Sequence, residues 1–410
     1  MHKRILLCIN KNQFENFDYK QKYAIATRNL LNNSGNNVFE YALQKMLTDK
    51  DVSVDHNYDL YADNDDFINS AKEINAKYDC MVMSPANIFS RGFAKRLLPK
   101  LTKNISALTI PVYVIGIGMQ GKINYSFDFL KNIKDEVLNF VNAVAKNGGK
   151  MGLRGYFTEA CLKELNVDKS VYHVIGCPSL YQNGRNIKIE VPKVDKLKIA
   201  FNGNRMLRKP EYKNCFTKHP TSIFVDQDEL YKFIFTPDEL KNKDMRNICL
   251  KHIENIVKEK RAVLYCNYQT WAKDLIERKI NFSYGTRIHG NIVPILQNIP
   301  AVVEVVDSRT RELAEFFKIP SVSKFDKNMD FDKMYENLDY SEFNETFPKN
   351  FDNFKDFMTS CGLPCLNDMS YIEKTIPPFD TFKVEFNYFK NASFKQNCYK
   401  WWYKIKRLFP

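Results

Sequence analysis

Several things the chain lacks narrow its class. Among its 410 residues there is no run of about 20 apolar residues, the length a bilayer-crossing helix needs. There are 10 cysteines but no Cys-X-X-Cys pair. The one close pair, Cys361 and Cys365 in "CGLPC", has no second Cys/His pair at zinc-ligand spacing, so no metal site is expected. A chain of this length needs no disulfide staples, and scattered cysteines read as reduced, mostly buried thiols of a cytoplasmic protein. The N-terminus, "MHKRILLCIN", starts basic, yet its apolar stretch of about five residues falls short of the roughly 7–15 of a secretory segment. "RILLCIN" reads better as a buried first strand. Internal repeats, low-complexity tracts and recognised nucleic-acid motifs are missing too, so nucleic acid is not an expected partner.

What is present suits a globular α/β protein. Hydrophobic residues make up 44% and aromatics 14%, enough to fill more than one core, and 410 residues exceed what one core usually serves. The net charge of +13 is unevenly spread. Residues 386–410 carry Lys390, Lys395, Lys400, Lys404, Lys406 and Arg407 and no acid. One reading is a solvated basic tail. The other, favoured by Trp401 and Trp402 beside lysines, is an interfacial segment whose aromatics enter headgroups while its cations face anionic lipid.

A strand-then-helix rhythm runs along the chain. "KRILLCIN", "DCMVMSPAN" and "PVYVIGIGM" are short apolar runs ending in turn residues, as buried parallel strands do. "NNVFEYALQKMLTD", "SFDFLKNIKDEVLNFVNAVAKNG" and "YFTEACLKELNV" have helical spacing. A polar stretch near 181–197 reads as a linker. A second series follows: "KLKIAFNGN", a charged helix over 239–260, "RAVLYCN", "WAKDLIERK", "INFSYG", "HGNIVPILQN" and "PAVVEVV". The expected fold is α/β, with two Rossmann-like domains, residues 1–185 and 186–330, facing a cleft. Residues 331–410 form a C-terminal extension, whose acidic, aromatic part is expected to pack back across both halves.

The chemistry concentrates at strand-to-helix turns. Arg287 and His289 precede Gly290 where "NFSY" hands over to a helix. A helix N-terminus offers free N–H groups and a positive dipole end to an anion. Arginine adds a forked clamp for phosphate or carboxylate, and histidine can donate to a phosphate oxygen or move a proton near neutral pH. Gly290 would let backbone approach the ligand. Arg154, in "KMGLRGYF", occupies the corresponding junction of the first half.

Weaker candidates surround these. Gly116, Gly118 and Gln120 end a strand facing the cleft and could approach a ligand, with ordinary turn geometry as the alternative. Gly35 and Asn36 open a helix, so anion binding and plain capping are both open. Gly203 and Arg205 follow the first strand of the second half, while Glu304 and Asp307 stand where they could orient hydroxyls. His173, inside an apolar pattern, is expected in the core.

Taken in order, "NSGNNVFEYAL", "VIGIGMQG", "GLRGYFTEACLKEL", "VIGCPSLY" and "SYGTRIHGNIVPILQNIPAVVE" resemble the bacterial polysaccharide pyruvyl transferase family over roughly residues 30–320. The R-x-H-G-x-x-x-P element is the most specific part. Cys177 departs from the pattern, standing before proline where many members carry an acid. The resemblance implies a fold like that of two-domain glycosyltransferases (GT-B-like). It also implies transfer of a pyruvyl group from phosphoenolpyruvate, as co-substrate, to two sugar hydroxyls, forming a cyclic ketal in surface polysaccharide synthesis. Arg154 and Arg287, with the intervening Ile288 and Gly290, would then bind the donor and His289 would act as acid–base group, with no cofactor. The acceptor would be a lipid-linked or nucleotide-linked sugar on the 1–185 side, with its sugar or diphosphate near Gly116, Gly118 and Gln120, opposite the donor on the 186–330 side. A nucleotide-sugar glycosyltransferase on the same fold is the alternative, and a membrane-docked scaffold the third reading.

Overall fold

The computed structural model describes residues 2–9, 13–14, 33–56, 65–203, 205–206, 212–227, 255–265, 267–323, 325 and 329–377. The basic–aromatic tail and most of the helix expected over 239–260 lie outside these residues.

Eight strands form the first half: β1 (Lys3–Cys8), β2 (Val52–Asp55), β3 (Cys80–Met83), β4 (Phe89–Ser90), β5 (Val112–Ile117), β6 (Met119–Gln120), β7 (Lys150–Leu153) and β8 (Tyr172–Val174). Six of them make one sheet in the order β2-β1-β3-β5-β7-β8, and β4 pairs with β6 apart from it. The second half contributes β9 (Ile199–Asn202), β10 (Ile223–Asp226), β11 (Ala262–Leu264), β12 (Phe282–Gly285), β13 (Ala301–Glu304) and β14 (Ser321–Val322), ordered β11-β10-β9-β12-β13-β14. Every pairing is parallel. This is the two-Rossmann α/β arrangement expected from the sequence. Inner strands such as β3, β5, β9 and β12 are buried at every position, because parallel sheets covered on both faces admit no polar alternation.

The helices that matter below are α1 (Gly35–Leu47), α2 (Arg91–Ser106), α3 (Lys134–Ala145), α4 (Tyr156–Glu164), α5 (Tyr268–Glu277), α6 (Ile288–Ile295), α7 (Ser308–Phe317) and α8 (Ser341–Ser360). Their starts follow local chemistry. Ser90 caps α2 by accepting from Phe93 N, and Asn267 caps α5 by accepting from Thr270 N. Asp307 and Thr310 make a reciprocal capping box at α7, which ends at Lys318 in the left-handed conformation.

Helix α7 also joins the halves. Ser308 Oγ accepts from Gly121 N at 2.8 Å, Glu315 accepts from the Tyr125 hydroxyl at 2.6 Å, and Arg311 donates to Ile123 O at 3.0 Å. Ser34 N donates to Gln227 O at 2.9 Å, tying the start of α1 to the end of β10.

The acidic, aromatic stretch does return across both halves. In α8, Phe343, Phe347, Phe351, Phe354 and Phe357 recur at three- and four-residue spacing and are all buried. Phe354 stacks on Tyr181 at 4.6 Å between centroids, while the Tyr340 hydroxyl accepts from Ala301 N at 2.8 Å in the second half. Each buried phenylalanine contributes about 1.5–3 kcal/mol relative to exposure. Cys361 and Cys365 are buried free thiols just beyond this helix.

One expectation fails here. His173 is exposed, its Nε2 2.6 Å from Asn353 Oδ1 and its ring stacked on Phe357. The reason is that β8 is an edge strand, so Tyr172 and Val174 turn inward while His173 turns out. Among the described residues, no helix is long and apolar enough to cross a membrane.

Candidate active site

Five parallel strands, two from... the first sheet and three from the second, deliver polar side chains to one cavity beyond their carboxyl ends. Asn87 follows β3, Arg154 follows β7, Gln227 follows β10, the Arg287–His289 segment follows β12, and Arg309 lies beyond β13. The cavity measures about 220 Å³. In open α/β sheets, ligands collect at this end of the strands because loops and helix N-termini converge there.

Arg154 is the most buried cation, 3% exposed. Its backbone N donates to Ile117 O at 2.9 Å and its Nε to Gly116 O at 2.8 Å. Gly116 holds φ +75°, a left-handed conformation that favours glycine and directs this carbonyl. A Cβ on Gly118 would lie 3.0 Å from Arg154 Cδ, so this glycine makes room for the arginine. Burial pulls the guanidinium below its ordinary value, with Cys177, Glu312 and Asp307 pulling back. It remains charged, since arginine does not lose its proton in proteins.

Arg287 is the N-cap of α6 and its N–H donates to Asn202 Oδ1 at 2.9 Å. His289, 5% exposed, packs on Phe39 of α1 with ring centroids 5.7 Å apart. Its Nε2 lies 3.8 Å from Cys177 Sγ. Burial first, then the positive fields of Arg154 and Arg309, push its pKa down to about 3. The imidazole is therefore neutral at pH 7.

Arg309 was not singled out from the sequence. Its Nη2 contacts Asp307 Oδ2 at 3.3 Å, while its Nε is buried with no hydrogen-bond partner. Asp307 in turn accepts from Gln120 Nε2 at 3.3 Å, and Gln120 Oε1 accepts from Asn87. Gln120 and Asp307 thus stand behind the cavity wall and fix Arg309 and Asn87. Glu312 of α7, 2% exposed, accepts from Thr158 N at 2.6 Å and Thr158 Oγ1 at 3.0 Å. Burial raises its pKa to about 7.

Of the expected site residues, Arg154, Arg287, Ile288, His289 and Asn36 line this one cavity. Others serve packing. Space for a Cβ at Gly290 is taken by Asn202, whose Cγ would be 2.5 Å away, so this glycine seats α6 on β9 rather than facing a ligand. Gly203, at φ +105°, abuts Thr286 in the same way. The N–H of Gly35 is taken by Asn33 Oδ1 at 3.1 Å, and that of Asn36 by Asn33 O, which leaves no free anion nest there. Glu304 is fully buried and bound by the hydroxyls of Tyr212 (2.8 and 2.9 Å) and Tyr284 (3.1 Å) and by Arg205 Nη1 (3.1 Å). With its oxygens sequestered, Glu304 cannot orient an acceptor hydroxyl, and Arg205 is committed to it. Asn33, Asn87, Phe93 and Gln227 also line the cavity without having been foreseen.

Two parallel α/β sheets thus carry an arginine-rich, histidine-bearing cavity at their strand ends, of the kind that suits an anion. A family model described as polysaccharide pyruvyl transferase matches residues 33–308, and the chain belongs to that family of polysaccharide-modifying transferases. Among solved structures it is similar to S. aureus MnaA with UDP (12% identity, 92% of this chain and 99% of that one, TM-score 0.48). It is also similar to UDP-GlcNAc 2-epimerase from Neisseria meningitidis bound to UDP-GlcNAc (10%, 88% and 99%, 0.47). A third is the glycosyltransferase SnogD from Streptomyces nogalater (10%, 92% and 98%, 0.37). No curated protein matches the chain.

Proposed function

We propose that the protein transfers the pyruvyl group of phosphoenolpyruvate to two hydroxyls of a sugar, forming a cyclic ketal on a cell-surface polysaccharide or its precursor. The observation that carries this reading is the convergence of Arg154, Arg287 and Arg309 on one small cavity beside a buried, neutral His289. Phosphoenolpyruvate is anionic at both ends, and arginine forks suit both carboxylate and phosphate. The N-terminus of α6 adds its dipole to one of them. A volume of about 220 Å³ is below the roughly 300–1,000 Å³ of drug-sized ligand sites. That favours a small polyanion over a whole nucleotide sugar.

In the proposed reaction the donor methylene gains a proton, its neighbouring carbon becomes electrophilic, and the first sugar hydroxyl attacks there and gives up its proton. Phosphate then leaves, taking the C–O bond electrons and a proton. The second hydroxyl closes the ketal and releases the second proton. Two hydroxyl protons supply one to the methyl group and one to phosphate, so the stoichiometry closes without an oxidant. His289 relays these protons. It is neutral in the field of Arg154 and Arg309, and a bound polyanion offsets that field and raises its proton affinity. Such a positioned base–acid contributes about 10²–10⁴-fold. The arginines stabilise departing phosphate.

The acceptor sugar is lipid-linked or nucleotide-linked in this reading, and residues 386–410 hold the enzyme at an anionic membrane face. Deleting them should release the protein from anionic liposomes. The donor is tested by thermal shift: phosphoenolpyruvate should stabilise the protein, and Arg287→Ala should remove most of that effect. Stabilisation by a nucleotide sugar and none by phosphoenolpyruvate would turn the assignment toward glycosyl transfer.

A further inference from the structure

Glu312 of α7 does not line the cavity, yet its contacts cross from the second half to the turn that carries Arg154. We propose that Glu312 is a positioning residue for anion binding. It holds the β7–α4 turn, offsets the Arg154 charge without occupying the guanidinium fork, and takes up a proton when an anion binds there. The inference rests on the pyruvyl-transfer reading only where that anion is called the donor.

The contacts form a clamp between the halves. Glu312 Oε1 accepts from Thr158 N at 2.6 Å and Oε2 from Thr158 Oγ1 at 3.0 Å, in the first turn of α4. Thr158 Oγ1 also accepts from Met119 N at 3.0 Å, so one carboxylate ties α4 and β6 to α7. Gly155 separates Arg154 from α4, and a Cβ there would lie 2.5 Å from Glu312 Cγ. The carboxylate thus reaches the helix through space that the missing side chain leaves open, directly beside the arginine.

Electrostatics explain why the contact stops short of Arg154. A guanidinium this buried calls for a counter-charge. A directly paired carboxylate, however, would fill the fork with which arginine takes phosphate or carboxylate. Among the described residues no carboxylate forms an ion pair with Arg154, and Glu312 supports its charge from a distance with its own oxygens turned to Thr158. Arg154 in turn favours the ionised form of Glu312. An anion on Arg154 cancels that attraction and adds repulsion, so the carboxyl gains a proton. Burial already raises Glu312 to about 7, which places the gain in the neutral range. Of the other groups around it, Tyr125 in the loop after β6 and Cys161 of α4 are both pushed up by burial and stay protonated. Glu315, one turn along α7, adds repulsion.

The test uses the full-length protein with sulfate, a doubly charged anion that does not titrate near neutral pH, and with phosphoenolpyruvate in parallel. Calorimetry reads affinity and, in buffers of different ionisation enthalpy, the protons taken up. Wild-type affinity for sulfate should fall by about tenfold from pH 6 to pH 8.5, with about half a proton taken up per sulfate near pH 7.5. Glu312→Gln keeps the size and an acceptor for Thr158 N but carries no charge. It should hold the wild-type low-pH affinity throughout and lose that proton, while any share from His289 is common to both proteins. Thr158→Ala removes a hydrogen bond that favours the ionised carboxylate, so it should move the wild-type midpoint to higher pH. Should Glu312→Gln fail to fold, the wild-type proton count and Thr158→Ala still decide. A residue that only joined the halves would lower the melting temperature in Glu312→Gln and leave pH dependence and proton uptake unchanged. That result overturns the inference, as do pH-independent or absent sulfate binding by the wild-type protein and an unmoved midpoint in Thr158→Ala. If sulfate behaves as expected and phosphoenolpyruvate does not bind, the donor assignment falls and the role of Glu312 stands.

Discussion

Replacing His289 by glutamine should change how acid destabilises the protein. The folded-state pKa of about 3 lies below the ordinary 6.5, so the unfolded chain binds a proton across that window and the folded chain does not. The sign follows directly: the imidazole's full contribution to stability is present above pH 6.5 and is lost as pH falls toward 3. Each tenfold change in proton affinity is worth about 1.4 kcal/mol, which gives about 2 kcal/mol lost by pH 5 and about 5 kcal/mol by pH 3. Glu312 works the other way. Its folded pKa of about 7 exceeds the ordinary 4.5, so its contribution is lost as pH rises through 4.5–7. That opposing slope masks the histidine in the wild-type protein alone but cancels in a comparison. Urea unfolding at pH 8 and pH 5 is the assay. The wild-type protein should lose about 2 kcal/mol more than His289→Gln over this interval. Parallel pH profiles for the two proteins would refute the placement of a neutral imidazole in this buried, arginine-flanked site.

Other perturbations have equally definite outcomes. Gly290→Ala drives a methyl group into Asn202, which also accepts from Arg287 N, so it should cost about 1–3 kcal/mol in thermal unfolding and loosen donor binding at once. Cys177→Asp sets a carboxylate near His289 Nε2, now 3.8 Å from sulfur. At that range a charge pair is worth about 4 kcal/mol at an effective dielectric of about 20, so the histidine titration seen by ¹⁵N NMR should move upward, while Cys177→Ser leaves it in place. Tyr212→Phe removes a hydroxyl bound to both oxygens of the buried Glu304 and should cost about 1–3 kcal/mol in urea unfolding, without altering phosphoenolpyruvate binding.

The parts of the fold that were legible share a physical cause. Strands such as β3 and β5 are covered on both faces and therefore read as unbroken apolar runs. The joint placement of Arg154, Arg287 and His289 was legible because each sits at a strand-to-helix turn, where parallel topology must bring such turns together. Arg309 obeys the same rule, but "DSRTREL" is so rich in charge that it looks like a solvated helix start. Its signal was position, not composition. Glu304 misled for the opposite reason: nothing local announces that Tyr212 and Tyr284, 92 and 20 residues away, will enclose a carboxylate. Phe93 and Gln227 give no local sign of their place, since only the packing of α2 and β10 around the cavity brings them to it. β10 itself was overlooked inside "TSIFVDQDEL", where four apolar-to-acid residues are too few to separate from a loop.

The return of α8 to the first sheet has a consequence for biosynthesis. Phe357 packs within reach of Gly152 on β7, and Phe347, Phe351 and Phe354 close around Tyr181, so the lid over the early core is made from residues near the end of the described chain. Domains emerging from a ribosome usually fold N-terminal first. Here the part of the first half around Gly152 and Tyr181 lacks its α8 cover until residue 360 has emerged. Ribosome-bound chains truncated before α8 should therefore recruit chaperones and resist compaction, even though they already contain both sheets and all three cavity arginines.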